Sequence, residues 1–128
     1  MVLLVLTAML FCHIIDDYVL QGWLATGKQR DWWKANAPDK LYKYDYIMAL
    51  AEHAFSWTCS IHIPILVYSY LCQDYKAIYI YVIVFLVNWF IHAITDHCKA
   101  NLHKINLIQD QLIHICQILI TWIIYMVI

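Results

Sequence analysis

Four apolar stretches fill most of this 128-residue chain, and they run from about Val2 to Trp23, Asp45 to Cys72, Ala77 to Cys98 and Ile105 to Ile128. A helix needs about 20 residues to cross about 30 Å of hydrocarbon, and each stretch is near that length. The chain is 64% hydrophobic and 13% charged, with two Gly and two Pro and a mean hydropathy of +0.63. A soluble domain is nearer half apolar and a quarter charged. So little Gly and Pro leaves little material for loops. The pattern predicts one all-α integral membrane domain over residues 1–128. Its fold is a four-transmembrane-helix up-down bundle with an interfacial segment between the first two helices.

The first stretch, MVLLVLTAMLFCHII, has no basic leader region and no small-x-small cleavage site, so it reads as a retained transmembrane helix. Residues from about Leu24 to Tyr44 mix Lys28, Arg30, Asp31, Lys34, Asp39, Lys40 and Lys43 with Trp32, Trp33, Tyr42 and Tyr44. That blend suits a partly helical segment at the membrane surface. The other two connections, Gln73–Lys76 (which holds Asp74) and Lys99 to about Lys104, are short and polar. Seven basic residues lie in the first and third connections, and Lys76 alone lies in the second. By the positive-inside rule the first and third face the cytoplasm and both termini face outside, in an inner or plasma membrane. The basic residues of the first connection read chiefly as this topology signal, with a grip on anionic headgroups as the lesser reading. The remaining Trp and Tyr are expected to form interfacial belts and packing. A net charge of −1 offers nothing to a nucleic-acid partner. The five Cys form no CxxC pair and read as small buried apolar residues.

Within these stretches stand His13, Asp17, His53, His92, Asp96, Asp110 and His114. His13/Asp17 and His92/Asp96 are four apart, and Asp110/His114 repeat the spacing in reverse, so each pair shares a helix face. In an up-down bundle, the end of the first helix, the start of the second, the end of the third and the start of the fourth lie at one membrane face. All seven residues then fall within about two turns of one depth. Polar stripes extend the pattern: Gln21; Ser56 and Ser60; Asn88 and Lys99; Asn106, Gln117 and Thr121. Ionisable groups inside a bilayer are costly and mark functional sites. Four His and three Asp suit a divalent metal, one or two Zn with Mn or Fe as options. Two ions bridged by a carboxylate would use so many ligands and would activate water. Lys99 is a candidate to stabilise developing negative charge, and Gln21 and Gln111 are candidates to orient ligands. Glu52, beside His53, is a candidate acid or base whose helix face the spacing leaves open.

At these residues the chain resembles a known family. HIIDDYVLQGW (His13–Trp23) is similar to H-x-x-x-D-[FY]-x-L-Q-x-x-W, with Trp23 one place short of the motif's tryptophan. HAITDHCK (His92–Lys99) is similar to H-x-x-x-D-x-x-K, and DQLIH (Asp110–His114) to D-Q-x-x-H, with His53 as the lone histidine between. The family is an uncharacterised one of small phage and bacterial integral membrane proteins, a domain of unknown function. It is distantly like the bacterial membrane-bound metal-dependent hydrolases. Asp16 departs from the motif, which has a small residue there, and is expected to be solvated at the interface.

The resemblance and the ligand set together imply a membrane-embedded metal-dependent hydrolase. Its substrate would be a lipid-linked headgroup or a small metabolite. A metal or proton transporter or channel is the alternative from a different class, and a phage membrane effector with a structural metal site is a third. A transport path would need polar groups across the whole bilayer, whereas these crowd one half. The bland reading of the pairs is interhelical hydrogen bonding. His62, near Pro64, reads as a structural or outer-leaflet residue, and His97 and His103 as solvated loop residues. A homodimer would give so small a bundle better cover.

Overall fold

The computed structural model describes residues 2–73 and 76–127, most of them in helices joined by short irregular connections, with no strand among them. Helix α1 spans Val2–Ile15 and passes into a π-helical turn, Asp16–Leu20. Two short helices follow, α2 (Leu24–Gly27) and α3 (Arg30–Asn36), then a 3-10 turn at Lys40–Tyr42. Three long helices complete the chain: α4 (Asp45–Cys72), α5 (Lys76–Ala100) and α6 (Leu107–Val127). Four spans, Val2–Leu20, Lys40–Cys72, Tyr79–Ala100 and Leu107–Met126, are long and apolar enough to cross a membrane. The molecule therefore fits an integral membrane protein. Asp74 lies outside the described residues.

The long helices form a ring. Helix α4 packs on α1 and α5, and α6 closes against α5 and α1. One half of the interior is apolar, built from Val5, Met9, Trp57, Ile61, Ile65 and Ile118. Large side chains such as Leu3, Leu4, Tyr79 and Phe90 point outward, as expected where lipid replaces water as the solvent.

The first stretch is not one helix to Trp23. Gly22, at φ +48°, breaks it after the π turn. A left-handed φ is open to Gly at little cost, and it turns the chain along the bundle end. Beyond it, Trp23, Trp32 and Trp33 pack edge to face at 5.2–6.0 Å. Trp33 Nε1 donates to Gly27 O at 2.7 Å. A Cβ on Gly27 would come within 2.7 Å of the Trp23 ring, so the close approach needs glycine. At the turn between α5 and α6, Asn106 and Gln109 cap α6 reciprocally: Gln109 N donates to Asn106 Oδ1 at 2.9 Å, and Asn106 N to Gln109 Oε1 at 3.0 Å. Asn106 thus caps a helix at the exposed end and does not extend the polar stripe of α6.

Candidate metal centre

Helix α1 brings in His13, and the π turn brings in Asp16 and Asp17. The turn is closed by Gln21 N donating to Asp16 O at 3.1 Å, an i to i+5 bond, and by the Gln21 amide donating to Asp17 O. Such insertions recur at functional sites because they re-aim side chains. Here they turn two successive carboxylates inward. Asp17 faces His53 and Gln111. Asp16 faces α4, where Ser56 and Ser60 donate to its Oδ1 at 2.7 and 3.0 Å. Asp16 is therefore fully buried and not solvated, a correction to the sequence expectation. The two hydroxyls, one turn apart on α4, supply the donors that burial requires.

The imidazole Nε2 atoms of His53, His92 and His114 and the carboxylates of Asp17, Asp96 and Asp110 meet at one place. His53 Nε2 lies 3.3 Å from His92 Nε2, 3.3 Å from Asp17 Oδ1 and 3.4 Å from Asp96 Oδ2. His114 Nε2 lies 3.4 Å from Asp96 Oδ1 and 3.5 Å from Asp110 Oδ1. His92 Nε2 is 3.9 Å from Asp96 Oδ1. Two sets could each hold an ion: Asp17, His53 and His92, and His92, Asp96 and His114. Ligand atoms about 2.0–2.1 Å from a tetrahedral ion stand about 3.3–3.4 Å from one another. The spacings of 3.3–3.5 Å match those edges, and the His92–Asp96 spacing of 3.9 Å is longer.

Second contacts set the tautomers. Gln117 Nε2 donates to Asn88 O and Oδ1 at 3.2 and 3.3 Å, so its Oε1 is free to accept from His114 Nδ1 at 3.2 Å. His114 Nε2 then faces two carboxylates, a contact made favourable by a proton on that nitrogen or by a cation between them. His13 is placed differently. Trp57 Nε1 donates to His13 Nδ1 at 2.8 Å, so His13 Nε2 carries the proton given to Gln111 Oε1 at 3.1 Å. Gln111 Nε2 in turn donates to Asp17 Oδ2 and Asp110 Oδ2 at 3.1 and 3.2 Å. Both His13 nitrogens are engaged, and the residue stands outside both ion-holding sets. In this arrangement His13 orients ligands through Gln111. Trp57 also stacks on His92 at 4.2 Å, and His92 stacks on His114 at 4.1 Å.

Two lysines complete the electrostatics. Lys28 Nζ lies 2.5 Å from Asp96 Oδ2, and Lys99 Nζ 2.6 Å from Asp110 Oδ2. Four carboxylates, Asp16, Asp17, Asp96 and Asp110, are buried, and these two ammonium groups pair with only Asp96 and Asp110. A charged residue at the centre of a membrane helix costs about 2.5–3.5 kcal/mol. Surplus buried carboxylates are tolerable only with further positive charge, as protons on imidazoles or as metal. Lys28, Lys99, Gln21 and Gln111 also line a small cavity of about 80 Å³ that reaches Asp17 and Asp96.

Glu52 is not brought to this site. It is exposed, in a separate open hollow with Asp45, Met48, Trp23 and Trp33. Adjacent helical residues diverge by about 100°, so burying His53 turns Glu52 out. His62 is buried nine residues along α4, amid Tyr81, Phe85 and Tyr125, with Nδ1 against Thr58 O at 2.7 Å. His97 is part of α5, stacked on Tyr46 at 6.2 Å. The cysteines are free and, against expectation, none is buried: Cys72 and Cys116 are exposed and the other three half-buried, and none lines the cavity. Sequence reasoning missed Lys28, Trp57 and Asp16. Lys28 looked like any topology lysine and Trp57 like packing. The hydroxyls of Ser56 and Ser60, on the stripe already noted, were the one available signal for Asp16.

Fold and site define a four-span, membrane-type helical bundle with a buried His/Asp cluster able to hold a metal ion. Comparison with protein families, curated proteins and solved structures finds no match to this chain.

Proposed function

We propose that this protein is a membrane-embedded metal-dependent hydrolase with a binuclear His/Asp centre. The observation that carries this reading is the set of ligand atoms at tetrahedral edge spacing beside a lysine-lined cavity. An imidazole nitrogen has one lone pair, so His92 can serve only one of the two sets. Asp96 is the natural bridge, its Oδ2 toward His53 and its Oδ1 toward His92 and His114. One ion would take Asp17, His53 and Asp96, and the other His92, His114, Asp96 and Asp110. Bound ions would lower the pKa of a coordinated water toward neutrality and polarise a phosphoryl or carbonyl oxygen.

The protein's own groups supply the rest. Lys28 and Lys99 place positive charge at the cavity, where an anionic substrate and the charge developing on it would be held. Trp57, His13 and Gln111 hold Asp17 and Asp110 in place. The apolar half, from Met9 to Ile65, closes the centre on its other side. Seven of the eight basic residues lie on the connections at the centre's end of the bundle. That bias supports placing this end at the cytoplasm and both termini outside. The substrate class favoured is a phosphoester, lipid-linked or small.

A transport path is the second reading. His62 supports it as a buried polar group in the other half. It stands about 13 Å along α4 from His53, with Trp57 and Ile61, both fully buried, between them on the helix. The test is metal content of gently purified protein together with turnover of phosphoester substrates, for wild type and Asp96→Asn. Close to two ions per chain and metal-dependent turnover, both lost in the variant, are expected. Failure to bind Zn²⁺, Mn²⁺ or Fe²⁺ after reconstitution would overturn the reading. Metal flux into proteoliposomes without turnover would replace it by transport.

A further inference from the structure

The connection between α1 and α4 carries a second hollow, independent of the His/Asp centre. It encloses about 280 Å³ and is walled by Arg30, Lys40 and Lys43 together with the rings of Trp33, Tyr42 and Tyr44. This wall is ordered by the rest of the fold. Arg30 N donates to Asn101 Oδ1 at 2.6 Å, and Asn101 Nδ2 to Lys28 O at 3.0 Å, so the start of α3 is tied to the end of α5. Trp33 stacks on Tyr42 at 6.4 Å. The hollow's carboxylate, Asp39, is occupied as a cap, accepting from Leu41 N at 2.8 Å. Lys34, also at the wall, pairs with Asp31 at 2.7 Å.

That leaves cations without anions. Arg30 Nε is sealed from solvent and has no hydrogen-bond partner among the described residues. Lys40 has no ion pair among the described residues, and Lys43 lies over the Tyr44 ring at 5.0 Å. Arg30 also lines the hollow, and the planar fork of a guanidinium matches a phosphate. Leu41 beside the hollow is 76% exposed and Tyr44 61%. Such apolar and amphipathic groups belong at the headgroup level of a bilayer, and a soluble anion would leave them uncovered.

We infer that this hollow binds the phosphodiester headgroup of an anionic phospholipid. Arg30 and Lys40 take the phosphate, the rings pack on the glycerol region, and Leu41 meets the acyl chains. The lipid would pin the connection that carries Lys28 to the membrane surface. Nothing in this inference depends on the metal or on hydrolysis.

The test uses the full chain in maltoside micelles, titrated with short-chain phosphatidylglycerol, short-chain phosphatidylcholine and inorganic phosphate. Binding is read by calorimetry, and folding by the helical melting curve. One phosphatidylglycerol per chain is expected, with phosphatidylcholine weaker by about tenfold or more. Binding should weaken with salt, since exposed charges are screened. Arg30→Gln with Lys40→Gln should lose about tenfold or more in affinity, Lys40→Gln alone less, and Lys104→Gln, which does not line the hollow, nothing. Equal affinity for the two lipids, or a double variant that melts and binds as wild type does, would overturn the inference. Inorganic phosphate binding as tightly as phosphatidylglycerol would overturn the lipid in favour of a free anion.

Discussion

Trp57 divides the bundle into two regions that are packed by different rules. On one side its N–H bonds His13 and its ring stacks on His92; on the other it joins Met9, Ile61, Ile65 and Ile118. In the apolar region a side chain needs only the right volume, because dispersion contacts are non-directional. In the polar region Asp16, Asp17, Asp96 and Asp110 each need particular donors or counter-charges, and the helix geometry is bent to supply them. The π turn at Asp16–Leu20 is the clearest case. Stability and function are thus separable by depth, and truncations on either side of Trp57 should produce different losses.

The largest expected effect is on the polar side. His92→Ala should remove the ion that His92 and His114 hold, a loss exceeding the roughly 10–100-fold typical of orienting residues, while the melting temperature falls modestly. Elemental analysis of the purified variant decides; retained stoichiometry would remove His92 from the centre. Next, Ile61→Ala on the apolar side should destabilise by about 2–5 kcal/mol through its cavity, with metal stoichiometry unchanged. If it also strips the metal, the two regions are not independent. Trp57→Phe tests the boundary. It keeps most of the buried ring but removes the N–H that sets the His13 tautomer, so metal affinity should drop about 10–100-fold with stoichiometry intact. His13→Ala should behave alike, and complete loss of metal would make His13 a ligand after all. The smallest effect is expected from His62→Phe, with no change in metal content. A coupled loss there would favour a path through both regions. Across the series, metal affinity should fall as pH drops from about 8 to about 5, because imidazole ligands must be unprotonated to bind; binding that strengthens in acid would contradict metal ligation by histidine.

Most of the framework was legible along the chain. Length and apolarity pointed to four long helices, and i to i+4 spacing put each Asp with its His. Their shared depth followed from antiparallel connection alone. What spacing could not reveal was direction around the helix axis once regular geometry failed. Asp16 and Asp17 cannot both face inward on a straight α-helix, and it is the π turn that brings both in. Glu52 had the opposite fate, because α4 stays regular and its face follows His53 by about 100°. Lys28 came into the site only through the turn at Gly22 and the clasp by Asn101, neither of which has a periodic signature.

Sequence by itself determined the number of membrane-length spans and the grouping of polar residues at one end of the bundle, because hydrophobic length and helical period are local properties that each residue carries with it. Only the tertiary structure decided which imidazoles face the centre and which nitrogen of His13 carries its proton. It alone also showed that His13 serves Gln111 and that Lys28 reaches Asp96. Those depend on hydrogen bonds between residues 68 to 98 positions apart, and such partners exist only once the helices have packed.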